Sequence, residues 1–218
     1  MQIHHLAEKP SILNKYLAEI RNREIQKDSM RFRRNIERIG EFMANEVSKT
    51  FVYKPHDIQT PLGTKTVSLP DEKIVICSVL RAGLPLHHGL LNIFDDAESA
   101  FISAYRKHTS GNDFDIIVEY LAMPPLDKKT LLLVDPMLAT GRSLEAVYHV
   151  LTMNEKPGKI HVIAVIAAPE GIRYLQNKLP EDTHLWIADI DDRLNDKAYI
   201  VPGLGDAGDL AFGQKIER

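Results

Sequence analysis

The apolar residues near the start of the chain have the spacing of amphipathic helices. One stripe, with intervals of four, three, four and four residues, consists of Phe32, Ile36, Ile39, Met43 and Val47. This spacing places one helix face against a core, and Asp28 or Ser29 is suited to cap the first turn. A preceding helix is predicted from Ser11 to about Arg23. We therefore expect a helical arm over residues 1–50, before the sheet begins. Such an arm could serve dimerisation.

Beyond residue 50 the pattern changes to short apolar runs separated by turns and helix-like segments. The turn Pro61-Leu62-Gly63 lies between two strand-like runs and predicts a β-hairpin over residues 51–70. Further strands are predicted at Ile74–Val79, Ala100–Tyr105, Leu131–Val134, Ile160–Ala167 and Leu185–Ile190. Helices are predicted near Pro85–Phe94, Ser143–Met153 and Glu170–Lys178. This alternation predicts an α/β fold with a doubly wound, mostly parallel sheet, whose core occupies residues 71–190.

Residues 107–129 interrupt this alternation. They contain Ser110-Gly-Asn-Asp113 and the pair Pro124-Pro125, which favour a mobile flap or an irregular hairpin over a site. With 218 residues, of which 44% are hydrophobic, the chain can bury a full core. We expect one domain over residues 1–218, which ends in a C-terminal segment over 191–218.

Composition and charge exclude several classes of partner. The formal net charge is −3 and the isoelectric point is near 6.3, so neither nucleic acid nor an anionic membrane is expected to bind. No apolar run approaches the ~20 residues of a membrane span, and the N-terminus lacks the order of a secretion signal, so a cytoplasmic protein is expected. The single cysteine, Cys77, lies in an apolar run and is interpreted as a buried thiol.

The most informative run is Leu131–Ser143, in which an apolar strand ends at Asp135 and continues into a Thr140-Gly141 pair. A carboxylate at a strand end can face a sugar, and hydroxyls and backbone N–H groups at a helix start bind phosphate. The same pattern also fits an ordinary strand-to-helix connection with Ser143 as a cap. The run has neither the lysine of a triphosphate-binding loop nor the glycine spacing of a dinucleotide fold. A sugar monophosphate is therefore the expected ligand.

This run resembles the phosphoribosyl-diphosphate-binding motif of type I phosphoribosyltransferases. Most members carry two adjacent acidic residues there, whereas the uracil phosphoribosyltransferase branch has proline second, as this chain has at Pro136. That branch usually has glycine where this chain has Arg142. Two further segments are similar to the family: Leu80-Arg81-Ala-Gly-Leu84 and Tyr105-Arg106. The resemblance implies that both arginines bind the diphosphate, which suits their planar donor forks; without it, surface ion pairs explain them equally well.

The C-terminal segment Tyr199–Asp209, followed by Phe212-Gly213, resembles the uracil-recognition loop of the same family. A flat pyrimidine can be bound by backbone amides and carbonyls, which requires small residues that let the backbone approach. The resemblance implies that Ile200, Gly205 and Ala207 bind uracil, together with Asp206, which also faces the donor and its magnesium. Leu210 replaces the basic residue often found there. Ala168-Pro-Glu-Gly171 is a further family-like match.

The resemblance implies transfer of a phosphoribosyl group from 5-phospho-α-D-ribose 1-diphosphate to uracil, which gives uridine monophosphate and diphosphate. Asp135, Arg81 and Arg106 are the implied catalytic residues, and Mg²⁺ is the implied cofactor, held through the diphosphate and by Asp206. The rest of the implied donor site is Pro136, Met137, Leu138, Ala139, Thr140, Gly141, Arg142 and Ser143. GTP is a candidate effector, and a homodimer or higher homo-oligomer is expected. Two alternatives stay open: another nucleobase as acceptor, and a non-catalytic nucleotide-binding regulator on the same fold.

Three clusters outside these motifs have plainer interpretations. His87 and His88 are adjacent on a predicted helix, so their side chains point in different directions and do not form a shared metal face. The acidic group Asp189, Asp191 and Asp192 is interpreted as a strand end with a solvated turn. The basic run Arg31-Phe-Arg-Arg34 is interpreted as a solvated helix face.

Overall fold

The structure is a computed structural model that describes residues 1–108 and 114–215, with side chains described outside 104–118. In chain order its strands are β1 Gln2–His5, β2 Tyr53–Thr60, β3 Gly63–Pro70, β4 Ile74–Leu80, β5 Glu98–His108, β6 Phe114–Ala122, β7 Thr130–Val134, β8 Met137–Leu138, β9 Lys159–Ala167, β10 His184–Ile190, β11 Arg193–Leu194 and β12 Ile200–Val201. Its α-helices are α1 Leu13–Arg21, α2 Ser29–Ser48, α3 Leu84–Leu91, α4 Arg142–Leu151, α5 Pro169–Gln176 and α6 Ala207–Phe212.

A central sheet with strand order β1-β10-β9-β7-β4-β5-β6 divides the molecule into two layers of core. All neighbours in it are parallel except β5 and β6. One face packs against α1, α2 and α3, and the other packs against α4 and α5. Helices on both faces explain why β7 is buried along its whole length. The predicted α/β fold with a mostly parallel sheet is confirmed.

The N-terminal helices match their predicted spacing. The whole stripe from Phe32 to Val47 is buried in α2, and α1 buries Leu13, Leu17 and Ile20. The Asp28 side chain accepts a hydrogen bond from the Arg31 backbone N–H and so caps α2. The expectation that helices precede the sheet is wrong, because β1 comes first and pairs with β10 at the sheet edge. Its four residues are too few and too polar to give a strand signal.

The predicted irregular flap over 107–129 is partly wrong. β5 continues to His108, and Phe114–Ala122 forms β6, which pairs antiparallel to it with a register shift between Ser103 and Ala104. Residues 109–113, where the expected mobile tip falls, lie outside the described residues. Residues 123–129 contain no regular strand. The flap is therefore mainly an extension of the sheet.

The predicted hairpin over 51–70 is confirmed as β2 and β3, paired from Tyr53 with Pro70 to Thr60 with Gly63. All residues of β2 are exposed, and in β3 only Val67 is partly buried. The Cys77 side chain is buried in β4, as predicted, and burial raises the pKa of its thiol to about 12. Within the described residues, no helix is long and apolar enough to span a bilayer.

A buried histidine lies at the β1 side of the sheet. His161 is 1% exposed, and its Nδ1 accepts a hydrogen bond of 3.0 Å from the Trp186 indole N–H. The His184 ring stacks on it with a centroid separation of 4.9 Å, and His184 in turn contacts His4, with 3.1 Å between ring nitrogens. Burial, with His184 as the next cause, lowers the pKa of His161 to about 3.

We predict that this histidine makes the protein acid-sensitive. The unfolded chain binds a proton at His161 near pH 6.5, whereas the folded protein does not until about pH 3. The contribution of neutral His161 to the free energy of unfolding is therefore complete above pH 6.5. It decreases by about 1.4 kcal/mol per pH unit as the pH falls towards 3. His161→Asn keeps an acceptor for Trp186 but does not titrate, so urea unfolding between pH 6.5 and 4.5 should show a slope smaller by that amount. An unchanged slope, or the same change in the exposed control His56→Asn, contradicts the prediction.

Candidate active site

The predicted site segments meet at the carboxyl edge of the parallel strands. The loop after β4 lies directly against the end of β7: a Cβ on Gly83 would lie 3.2 Å from the Val134 carbonyl oxygen and 2.7 Å from that of Val79. The C-terminal segment joins them, because a Cβ on Gly208 would lie 3.9 Å from Ala82 Cβ. Asp135 directly follows Val134, and Asp206 lies two residues before Gly208. The segments that carry these two carboxylates therefore both border the loop after β4. Open parallel sheets bind ligands at this edge.

The loop after β7 is shaped by backbone hydrogen bonds. The Asp135 carboxylate accepts a 3.1 Å bond from the Met137 N–H, and the Pro136 carbonyl accepts from the N–H groups of Val165 and Ile166. Met137 and Leu138 form β8 beside β9. Asp135 is partly buried, Pro136 and Leu138 are buried, and Met137 is partly buried. The carboxylate is thereby fixed to the sheet by its own loop.

The rest of this loop leads into α4. Gly141 is the N-cap with φ of +80°, a left-handed conformation that favours glycine. The Thr140 hydroxyl accepts a 3.4 Å hydrogen bond from the Arg142 N–H. Ala139, Thr140 and Ser143 are partly buried and Arg142 is exposed. These residues therefore form the loop that leads into the first turn of α4, and the N–H groups of a helix's first turn are suited to bind phosphate.

The start of α5 supports the same loop from behind. The Ala168 N–H donates a 2.9 Å hydrogen bond to the Leu138 carbonyl. A Cβ on Gly171 would lie only 2.2 Å from the Ala139 carbonyl oxygen, and one on Gly141 would lie 3.1 Å from the Gly171 carbonyl oxygen. The family-like segment Ala168–Gly171 thus packs backbone to backbone against the loop.

The two predicted diphosphate arginines differ in what the structure describes. Arg81 follows β4, and its guanidinium donates to the Gly213 carbonyl at 3.0 Å and to Asp209 Oδ1 at 3.4 Å. Its side chain is 41% exposed, so it is accessible to a ligand. Arg106 lies in β5, where its backbone pairs with Ile116. Its side chain is outside the described part of the structure.

The predicted acceptor segment follows a short hairpin. Ile200 in β12 pairs with Leu194 in β11 and is buried. Gly203 and Gly205 have φ of +63° and +96°, and the Gly205 position is open, with Leu210 Cδ1 3.9 Å from where a Cβ would lie. Asp206 then caps α6 by accepting a 2.9 Å hydrogen bond from the Asp209 N–H, and Ala207 is buried. Leu210 packs against the core cluster as an apolar residue.

The residues that could hold a divalent cation are few. Within the described residues, no group of three or more histidine, cysteine or acidic side chains could hold a metal ion by itself. Asp206 is one carboxylate beside the predicted donor site, 3.9 Å from the Lys215 ammonium. One or two carboxylates plus substrate phosphates is the usual environment of Mg²⁺. The residues present therefore fit a magnesium ion that would be held mainly by the phosphates of a bound substrate.

Several contacts around this edge differ from what the sequence predicts. Asp189 lies at the end of β10, as predicted, but neither it nor Asp191 is simply solvated: both are bound by Arg21 of α1, and Asp191 is 6% exposed. Nor is Arg33 only part of a solvated face, because it donates to the Ala211 carbonyl of α6. Each of these pairs joins residues far apart in sequence, so no local pattern reveals it. Glu170 accepts from the Leu194 N–H at 3.2 Å and supports β11.

The two adjacent histidines of α3 point apart, as predicted. His87 is buried between Ser78 and Ser99, with its ring nitrogens 2.7 and 3.0 Å from their hydroxyls. His88 is exposed. Burial, with His88 as the next cause, lowers the pKa of His87 to about 4. His87 is therefore a neutral core residue beneath the loop that carries Arg81.

Comparisons with known proteins agree with this geometry. Over nearly its full length the chain is similar to a solved structure, the AQ2163 protein from Aquifex aeolicus, with a TM-score of 0.87, 28% identity, and coverage of 99% of this chain and 100% of that one. A phosphoribosyltransferase family model also matches most of the chain, so the class to which this fold and site belong is a phosphoribosyltransferase.

The family can be stated more narrowly. The model of the uracil phosphoribosyltransferase family matches residues 7–214. A curated uracil phosphoribosyltransferase of Porphyromonas gingivalis is 48% identical over 216 residues, which cover 99% of this chain and 100% of that protein. One from Methanococcus maripaludis is 41% identical over 200 residues, 89% of this chain and 84% of that protein. The chain belongs to the uracil phosphoribosyltransferase family, and the predicted enzyme class, a pentosyltransferase, is confirmed.

The contact between α5 and the loop after β7 yields a testable prediction. Gly171→Ala places a methyl group 2.2 Å from the Ala139 carbonyl oxygen, so the loop or α5 must move by roughly 1 Å to restore an ordinary contact. We expect the KM for 5-phospho-α-D-ribose 1-diphosphate to rise about 10-fold, in line with the loss of one charge-assisted phosphate contact. Gly158→Ala, where the nearest atom is 3.1 Å away in a remote turn, is the control. An unchanged KM in a folded Gly171→Ala protein would show that this loop does not bind the donor.

Proposed function

We propose that the chain transfers the phosphoribosyl group of 5-phospho-α-D-ribose 1-diphosphate to uracil at the carboxyl edge of its sheet. The observation that carries this proposal is that the loop after β4 contacts both the end of β7, through Gly83 and Val134, and the C-terminal segment, through Ala82 and Gly208. It supports a single site built from the start of α4, the exposed Arg81 and the glycine-rich backbone of the C-terminal segment. A reaction between an activated sugar phosphate and a flat base needs all three.

The donor is proposed to lie along the two loops. Residues 139–143 at the start of α4 bind the 5′-phosphate, and Asp135 binds the ribose hydroxyls and stabilises positive charge on the ring. Arg81 and Arg106 bind the diphosphate. As the bond to the diphosphate breaks, negative charge grows on the departing oxygens, so fixed cationic donors there lower the barrier most. Pro136, Met137 and Leu138 hold this loop against β9.

Arg81 has to exchange partners when the donor binds. Its guanidinium contacts Asp209 and the Gly213 carbonyl in this structure, and a diphosphate offers stronger, bidentate acceptors. The residues present fit Mg²⁺: Asp206 would supply one carboxylate, and the donor phosphates would supply further oxygens. A bound Mg²⁺ would neutralise part of the diphosphate charge.

The acceptor is proposed to lie against the backbone of residues 200–207. Ile200 and Ala207 give it buried apolar walls, and Gly205 leaves the backbone open to a planar ring. Asp206 lies between the two substrates. Backbone amides and carbonyls match the alternating donors and acceptors of uracil, which gives specificity without long polar side chains.

The exposed hairpin supports the proposal of a homo-oligomer. One of its faces carries Ile58, Val67 and Leu69, of which Ile58 is 43% and Leu69 40% exposed. A two-stranded hairpin is only marginally stable alone, so a second copy of the chain that covers this face would stabilise it. We further propose that the chain is a single cytoplasmic domain that binds neither nucleic acid nor membrane. GTP is a candidate effector, which is tested by adding it to the activity assay.

A diphosphate-release assay tests the proposed reaction. With 5-phospho-α-D-ribose 1-diphosphate, Mg²⁺ and a panel of nucleobases, we expect release with uracil at least about 100-fold faster than with hypoxanthine, guanine or adenine, because a site built to hydrogen-bond one base edge rejects others strongly. Release with a purine would indicate another acceptor. Donor binding without release with any base would indicate a regulator.

A substitution in the acceptor segment tests its assignment. Ala207 is 4% exposed, so Ala207→Leu should fill the space proposed for the pyrimidine and raise the KM for uracil by about 100-fold, while donor affinity changes little. Calorimetric titration with each substrate separates the two effects. Ala18→Leu, the same substitution at an exposed position of α1, is the control. Normal uracil affinity in Ala207→Leu would remove uracil from this segment.

A further inference from the structure

Arg21, the last residue of α1, joins three partners at the acceptor end of the site. Its Nη1 donates to both carboxylate oxygens of Asp191, at 2.8 and 3.0 Å, and to the Gly203 carbonyl at 3.1 Å. Its Nη2 donates to Asp189 Oδ2 at 2.8 Å. The guanidinium thus connects a helix, the end of β10 and the turn after β12.

This contact is well buried and fixed to the sheet. The side chain of Asp191 is 4% exposed and that of Arg21 is 19% exposed. The Asp191 N–H donates to the Ala167 carbonyl at the end of β9 at 2.8 Å. Removal of one member would leave a poorly solvated charge without its partner, which proteins avoid. The guanidinium is therefore a rigid reference point at this end of the sheet.

The Gly203 carbonyl belongs to the turn that shapes the proposed acceptor segment. Gly203 has φ of +63°, and a Cβ there would lie 2.2 Å from the Ile200 carbonyl oxygen. The Gly203 backbone is therefore packed directly against Ile200, and Gly205 follows two residues later. The hydrogen bond from Arg21 to the Gly203 carbonyl therefore fixes the backbone conformation of the turn within residues 200–207.

We propose that Arg21 is a positioning residue for the acceptor: it holds the Ile200–Gly205 turn in the conformation that binds the pyrimidine, without contact to either substrate. This inference rests on the proposed function of residues 200–207. The donor loops are held by other contacts, Gly83 against Val134 and Gly171 against Ala139. Loss of the Arg21 contact should therefore weaken acceptor binding selectively.

Arg21→Lys is the direct test, because lysine keeps the charge but cannot match the fork that bonds Asp189, Asp191 and Gly203 together. We expect the KM for uracil to rise about 10-fold, consistent with the loss of one charge-assisted hydrogen bond. The KM for the donor should stay within about two-fold. Arg34→Lys is the matched control: Arg34 is an exposed α2 arginine, 48% accessible, that pairs with Glu37, and both KM values should be unchanged.

The split between the two KM values decides the outcome. If Arg21→Lys lowers the melting temperature and raises both KM values equally, or leaves the uracil KM unchanged, the inference is overturned. If Arg21→Lys is too unstable to assay, Asp189→Asn is the second variant, because it removes one charge at a side chain that is 31% exposed. A uracil KM raised about two- to three-fold with an unchanged donor KM supports the inference. Equal changes in both KM values overturn it.

The same assay separates this inference from the proposed function. If Ala207→Leu blocks uracil but the Arg21 variants keep normal kinetics, only the positioning role fails. If Ala207→Leu also has no effect on uracil, the acceptor segment itself is misassigned.

Discussion

Close backbone packing between loops at one edge of the sheet is the constraint on which the rest of the structure depends. Gly83 lies against the carbonyl of Val134, and Gly171 lies against that of Ala139. A side chain at either glycine would separate the loops by steric contact with backbone, which cannot rotate away as a side chain can. The parallel sheet creates this edge, because the neighbouring parallel strands β4, β7, β9 and β10 all end there. The chemistry of the site follows from what these loops carry.

The same edge explains how an acidic chain binds an anionic substrate. With a net charge of −3, long-range attraction cannot select a phosphate, so local donors must do so. The proposed donors are the N–H groups at the start of α4 and the guanidinium of Arg81, which contacts the C-terminal segment in this structure. Family membership assigns the reaction class, and this arrangement of donors gives that class a physical basis. The helices of the first 50 residues contact the C-terminal segment through Arg21, which donates to the Gly203 carbonyl, and Arg33, which donates to the Ala211 carbonyl.

Much of the fold could be predicted because its signals are local. Buried parallel strands appear as continuous apolar runs, α2 appears as a stripe of period 3.6, and Pro61-Leu62-Gly63 marks a hairpin turn. The strand β1 could not, because its four mostly polar residues give no strand signal. The strand β6 was hidden by the irregular composition around it. The site motifs were visible as resemblance, whereas the Arg21 contacts to Asp189 and Asp191 span 168 and 170 residues, and only the folded chain brings them together.

The structure of the protein with uridine monophosphate bound tests the central claim most directly, since one molecule carries both the phosphate and the pyrimidine. The claim predicts the 5′-phosphate at residues 139–143 and the pyrimidine ring against the backbone of residues 200–207, with Asp135 at the ribose. A nucleotide bound with its base away from residues 200–207, or with its phosphate at another helix, would contradict it.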